Sequence, residues 1–215
     1  TEEDARTLAS YMIEIGKKYR KKVVCVLTNM NEPLGTMIGN GLEVKESIDA
    51  LQGKCSKDLK KLVITLASVA LKMTEGIDEE TARKKIEEKI KSNEAYHKFE
   101  EFVEYQKGDI NEISISDKVL TVRSPKEGFI QSIDTFKLGE IVKSLGGGRM
   151  TKEDKIDYGV GIELNKKIGD LVFENEELLK IYHHGGNVTL EEVTSCFKII
   201  ETPVETPKII LDIIE

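Results

Sequence analysis

The sequence predicts two fold classes in succession: a helix-rich α/β portion over residues 1–116, then an α+β module over residues 117–215. Three observations predict it. Residues 1–106 carry helical periodicity broken by one β-branched run, Val23-Val24-Cys25-Val26-Leu27. From Ile113 onward, short strand-like runs alternate with glycine- and proline-marked turns. An apolar content of 39% with 33% charged residues describes a chain that can bury a core, which excludes a disordered or fibrous protein.

The elements follow in order. Thr1 and Asp4 have capping-box spacing, and Ala5, Leu8, Ala9, Met12 and Ile13 recur at helical intervals behind them. The unbroken apolar run Val23–Leu27 reads as a strand covered on both faces, the pattern of a parallel sheet. One strand makes no sheet, and the helical half offers no second. Its partners are therefore expected either upstream of Thr1 or, alternatively, in the C-terminal module. Helices are expected at about 42–52, 57–74, 79–91 and 93–106, with starts at Asn40-Gly41, Ser56 and Asp78 and a stop at Gly53. In the second half, strands are expected at Val119–Val122, Gly128–Ile133, Tyr158–Leu164, Leu178–Tyr182 and Ile209–Ile214. Two short helices, at about 138–145 and 190–198, interrupt them, the second behind a capping box at Thr189 and Glu192.

Composition narrows the function classes. A net charge of −7 argues against nucleic acid, whose phosphates need a concentrated basic face. No apolar run approaches the ~20 residues of a membrane-spanning helix. The acidic opening Thr1–Ser10 is not a signal peptide. Cys25, Cys55 and Cys196 are odd in number and lack CxxC spacing, so they read as reduced thiols of a cytoplasmic protein, not as disulfides or zinc ligands. A small-molecule enzyme or an interaction module remains.

The stretch from Thr28 to Glu46, TNMNEPLGTMIGNGLEVKE, leaves the carboxyl end of the first strand and enters a helix, which is where open α/β sheets gather ligands. Pro33-Leu34-Gly35 forces a tight turn. Two readings stand: a loop whose carbonyls line a site, with Glu46 as the nearby carboxylate, or a plain connection rich in turn residues. Leu145-Gly146-Gly147-Gly148-Arg149 lacks the GK[ST] ending of a phosphate loop and follows a helix, so it reads as a helix stop. His97 and the His183-His184 pair before Gly185-Gly186-Asn187 have no partner at metal spacing, and Asp154 and Asp157 fit capping. The cadence Gly128-Phe129-Ile130, Gly169-Asp170-Leu171-Val172, Leu178-Leu179 resembles half of a lipoyl- or biotinyl-type domain, without the carrier lysine at a hairpin tip.

The segment LTNMNEPLGTMIGNGLEVKESIDALQG, with Gln106-Lys107-Gly108-Asp109, Ser144–Arg149, Asp157…Gly159-Val160-Gly161 and the Lys167-Ile168-Gly169-Asp170 turn, resembles the pyrimidine-nucleoside phosphorylase and thymidine phosphorylase family, and is most similar to the broad-specificity enzymes of low-GC bacteria. The resemblance covers essentially the whole chain. It implies that residues 1–116 are the C-terminal part of a large catalytic α/β domain and that 117–215 are the family's C-terminal α+β, hammerhead-like module. The activity implied is phosphorolysis of a pyrimidine nucleoside by phosphate to the free base and a pentose 1-phosphate, in a homodimer, with no organic cofactor. The family's Lys-[His/Tyr]-Ser-Thr-Gly-Gly phosphate loop and its base-gripping Arg and Ser-x-x-x-Lys are absent here and by family order precede Thr1. The isolated chain is therefore expected to be inactive, with no catalytic or substrate-binding residue of its own. A stand-alone, non-catalytic interaction module is the alternative. Part of the family's monovalent-cation shell is matched: carbonyls of Leu34 and Met37 and the carboxylate of Glu46, oxygen donors suited to potassium.

Overall fold

The computed structural model describes residues 1–186 and 188–215; Asn187, which the sequence reading placed in a turn, lies outside them. The first half is built on five helices: α1 (Glu2–Lys18), α2 (Asn40–Leu51), α3 (Lys57–Glu75), α4 (Glu79–Lys91) and α5 (Glu94–Tyr105). The Thr1 hydroxyl accepts the Asp4 N–H at 3.2 Å and the Asp4 carboxylate returns the contact, so the predicted capping box starts α1. Asp78 accepts the Thr81 N–H at 2.9 Å and starts α4, while Gly76, at φ +70°, ends α3 in the left-handed conformation.

The expectation for the first strand is corrected. β1 (Cys25–Thr28) pairs antiparallel with β9 (Ile210–Ile214), Cys25 opposite Ile214 and Val26 opposite Ile213. The strand therefore has a partner inside this chain, and the pairing is not parallel. The alternative of a C-terminal partner is the one realised. Continuous apolar character misled the reading, because only Leu27 of β1 is buried and the other three residues are half-buried. α1 covers the ribbon with Ala9 and Ile13, both buried, and Arg6 pairs with Asp212 of β9 at 2.5 Å.

The second half holds the main core. A four-stranded sheet runs in the order β2 (Met37–Ile38), β5 (Gly161–Leu164), β7 (Glu177–Tyr182), β3 (Val119–Arg123). A three-stranded sheet runs β6 (Leu171–Val172), β4 (Gly128–Ile133), β8 (Phe197–Ile200). Val122, Ile130, Ile162, Leu164, Val172, Leu178, Leu179 and Ile181 pack with Leu138 and Ile141 of α6 (Thr135–Val142) and Val193 of α7 (Leu190–Thr194). Each of these side chains contributes about 1.5–3 kcal/mol on leaving water. The expected helix at 190–198 is shorter: α7 stops at Thr194 and residues 197–200 form β8, whose Phe197 and Ile199 alternate into the core. The expected strand Tyr158–Leu164 begins only at Gly161. The Gly146–Gly148 run ends α6 through a wide turn over Lys143–Gly147, in which Gly146 takes φ +98°.

Among the described residues two strand pairings cross between the halves. β9 returns to β1, and β2, which the sequence reading did not separate from its loop, joins the sheet of the second half as its edge strand. The loop between β1 and α2 is therefore gripped from both sides.

Candidate functional site

Glu32 to Asn40 form that gripped loop. Gly35 is buried and takes φ +71°, a conformation that L side chains avoid. A Cβ there would overlap Glu46 Oε2 and lie 2.8 Å from Glu46 Cδ, so the absence of a side chain lets the carboxylate close onto the turn. Glu46, in the second turn of α2, accepts the Thr36 N–H at 2.6 Å and the Thr36 hydroxyl at 2.8 Å on Oε1, and the Met37 N–H at 3.3 Å on Oε2.

Pairing with β5 orients the rest. The Thr36 carbonyl accepts the Leu164 N–H at 2.6 Å, and Met37 stands opposite Glu163. Met37 is thus a non-hydrogen-bonded position of the ladder, and both its N–H and its C=O point away from β5, on the edge where Glu46 lies. Of the three expected ligand residues, Glu46 and Met37 are in direct contact and Leu34 sits in the turn between Pro33 and Gly35. Glu46 has about four lone-pair positions and receives three donors, of which the one to Oε2 is long. That leaves acceptor capacity on Oε2, on the edge to which the Met37 carbonyl also points.

A second cluster, on the other side of the loop, has no counterpart in the sequence reading. Asp58, in the first turn of α3, accepts the Gly35 N–H at 3.1 Å and the Lys167 ammonium at 2.9 Å, both on Oδ2. The same ammonium donates to the Pro33 carbonyl, and Glu32 accepts the Ile168 N–H at 2.8 Å. Lys167 and Asp58 retain only 19% and 22% side-chain exposure, so this pair is far better shielded than the surface pairs on α4. Burial pushes the Asp58 carboxyl up, but the neighbouring Ser56 hydroxyl, the Lys167 ammonium and the Leu59 amide outweigh it and hold Asp58 below the ordinary carboxylate range. At Glu32 burial dominates and the carboxyl is raised. A cavity of about 460 Å³ lies alongside, lined by Glu32, Asp58, Lys61, Lys167, Asp170 and Lys208. Nothing in local sequence joins Asp58 to Lys167, which are 109 residues apart; each reads alone as helix-start or turn punctuation.

The remaining candidates stay apart from the loop's two carboxylate clusters. His97 pairs with Glu100 at 2.8 Å on the exposed face of α5. His184 meets Asp157 at 2.6 Å, and Asp157 also accepts the Gly159 N–H at 3.0 Å. Asp154 accepts the Met150 and Thr151 N–H groups and closes a turn; no helix begins there, so the capping expected of it is not realised. Asn40 reaches the glycine run, its side-chain amide donating to the Gly147 carbonyl at 2.8 Å. Among the described residues no three His, Cys, Asp or Glu side chains form a metal-binding group. No helix among them is long and apolar enough to cross a membrane.

Comparison with known proteins agrees with the loop's resemblance. Residues 129–199 match the pyrimidine nucleoside phosphorylase C-terminal domain. The chain is 39% identical to the pyrimidine-nucleoside phosphorylase of Bacillus subtilis (strain 168), over 98% of this chain and 50% of that protein. The pyrimidine-nucleoside phosphorylases of Staphylococcus haemolyticus (strain JCSC1435) and Staphylococcus aureus (strain USA300) are 38% and 39% identical, each over 87% of this chain and 45% of its own length. The chain thus spans about half the length of the curated relatives it matches. It belongs to the pyrimidine-nucleoside phosphorylase family, as a match to the C-terminal portion of that family's chains.

Proposed function

We propose that this chain works as part of a pyrimidine-nucleoside phosphorylase in nucleoside salvage. In that reaction a phosphate oxygen bonds to the anomeric carbon of the pentose as the carbon–nitrogen bond to the pyrimidine breaks. The bonding electrons and a proton end on the base, and a pentose 1-phosphate is released. The observation that carries the reading is identity at 39% across 98% of the chain to an enzyme of that name. The Gly35 turn closed onto Glu46 supports a ligand-holding role for this segment. Leu34, Met37 and Glu46 would hold a potassium ion, which when bound would supply fixed positive charge near the phosphate subsite. The chain's own residues orient it: Thr36 and Met37 amides fix Glu46, and β5 fixes Thr36.

The phosphate-loop and base-gripping motifs that such a reaction needs are not in these 215 residues, so the chain alone is expected to be inactive. A groove of about 610 Å³ between α1 and β1, lined by Leu8, Met12, Val26 and Met30, supports assembly with further polypeptide; Leu8 and Met12 are 59% and 50% exposed. The proposed assembly is a homodimer of such complete units in a reducing, cytoplasmic setting, which suits three free cysteines. A stand-alone interaction module is the second reading, and the β1–β9 pairing supports it because the strand needs no outside partner to be paired once. Incubating micromolar chain with uridine or thymidine and phosphate decides the activity question. No uracil or thymine is expected above background; phosphate-dependent release by the chain alone would refute the assignment of roles.

A further inference from the structure

We propose that Lys167 is a positioning residue, through which the C-terminal module sets the backbone of the Pro33–Met37 turn. Its ammonium bridges the Pro33 carbonyl and Asp58 Oδ2, and that same oxygen accepts the Gly35 N–H at 3.1 Å. The two ends of the turn are therefore bolted to one carboxylate and one ammonium, with Leu34 between them. Peptide planarity carries the consequence. The Leu34 C=O and the Gly35 N–H share one rigid plane and point in opposite directions. With the Gly35 N–H committed to Asp58, the Leu34 carbonyl is turned to the side of the loop away from Asp58.

The ammonium arrives on a stiff support. Asp170 accepts the Lys167 N–H at 2.8 Å, the Asp170 N–H returns to the Lys167 carbonyl at 3.1 Å, and Gly169 takes φ +95° between them. Ile168 adds a second bolt through Glu32 at 2.8 Å. Charge makes Lys167 hard to replace. Glu32, Asp58 and Asp170 share this corner with Lys61 and Lys208, but it is the Lys167 ammonium that pairs with Asp58, and without it Asp58 would lose its bonded counter-charge at a largely shielded position. It would then take a proton or swing outward, and the Leu34–Gly35 peptide would be free to rotate. The positioning stands on these contacts alone; its consequence for cation binding rests on the reading of Leu34, Met37 and Glu46 above.

Amide hydrogen exchange on the full 215-residue chain tests it, comparing the native sequence with Lys167→Met, Lys167→Arg and Asp58→Asn. Lys167→Met is expected to speed exchange at Gly35 and Thr36 about tenfold or more, as local opening does. Leu179 and Ile181 in β7 should keep their native rates, and Lys167→Arg should restore most of the loop protection. Asp58→Asn should loosen the same two amides, and decides the matter if Lys167→Met does not fold. Unchanged exchange at Gly35 and Thr36, or acceleration spread evenly into β7, would overturn the proposal. A parallel titration with potassium chloride against tetramethylammonium chloride, read at the Thr36 and Met37 amide shifts, separates the two ideas. If the loop loosens as expected while the native chain ignores potassium, the positioning role stands and the cation shell is incomplete in this chain alone, as its partial match predicts.

Discussion

Gly35 concentrates the account at the scale of one residue. It combines φ +71°, burial, an N–H held by Asp58 and a side-chain position already occupied by Glu46. Gly35→Ala should lower stability by about 1–3 kcal/mol, from left-handed strain plus displacement of Glu46, and a reduced urea midpoint checks this. A native-like midpoint would mean that the Glu46 contact is not as close as described. Cysteine chemistry gives a second residue-scale expectation. Burial pushes the Cys196 thiol up to about 11, and the side chain is only 2% exposed, so alkylation of the native chain near pH 8 should reach Cys25 and Cys55 well before Cys196. Mass mapping of the modified cysteines checks the order. Glu46 and the Pro33-Leu34-Gly35 turn were legible in the sequence because turn chemistry and a helix start lie within one short stretch. Asp58 and Lys167 were not, because an ion pair between distant residues leaves no periodicity and no local spacing to read.

At the scale of elements, most helices lie where periodicity and caps put them, since Thr1, Ser56 and Asp78 mark their starts locally. The strands divide by how they are held. β3, β4 and β7 alternate or run apolar against the module core and were legible. β2 and β6 are two residues long and exist only through the strands beside them, so no window of sequence could carry their signal. β1 misled for another reason: an apolar run states that a strand is wanted in a core, not which strand pairs with it. The latch between α3 and the β5–β6 turn has a pH signature with a definite sign. Asp58 titrates below the ordinary 3.8 in the folded chain. Its contribution to stability is therefore complete above 3.8 and is lost as pH falls through the lowered folded value. Relative to Asp58→Asn, the native chain should lose stability more steeply on acidification through that window, and denaturant midpoints collected below pH 5 would reveal it. Parallel slopes would show that Ser56, Lys167 and the Leu59 amide do not together hold Asp58 in its charged form.

For the whole molecule, the buried cluster draws nearly all its members from residues 122–199, whereas the helical half contributes scattered buried positions such as Ala9, Leu42, Leu62 and Ala82. Limited proteolysis should therefore cut first in the exposed stretch between Tyr105 and Ser116, and the C-terminal piece should resist further digestion. The 29–41 loop should be cut later, because Glu46, Asp58 and Lys167 hold it. After the first cut the two pieces should remain associated through β1–β9 and β2–β5, which gel filtration of the nicked chain checks. The central claim is that these residues supply the C-terminal part of a phosphorolytic enzyme, and a hybrid tests it most directly. When the matched portion of the Bacillus subtilis relative is replaced by this chain, phosphate-dependent release of uracil from uridine should be retained, together with formation of a pentose 1-phosphate. A hybrid that folds, with native-like thermal unfolding, yet releases no uracil would contradict the account.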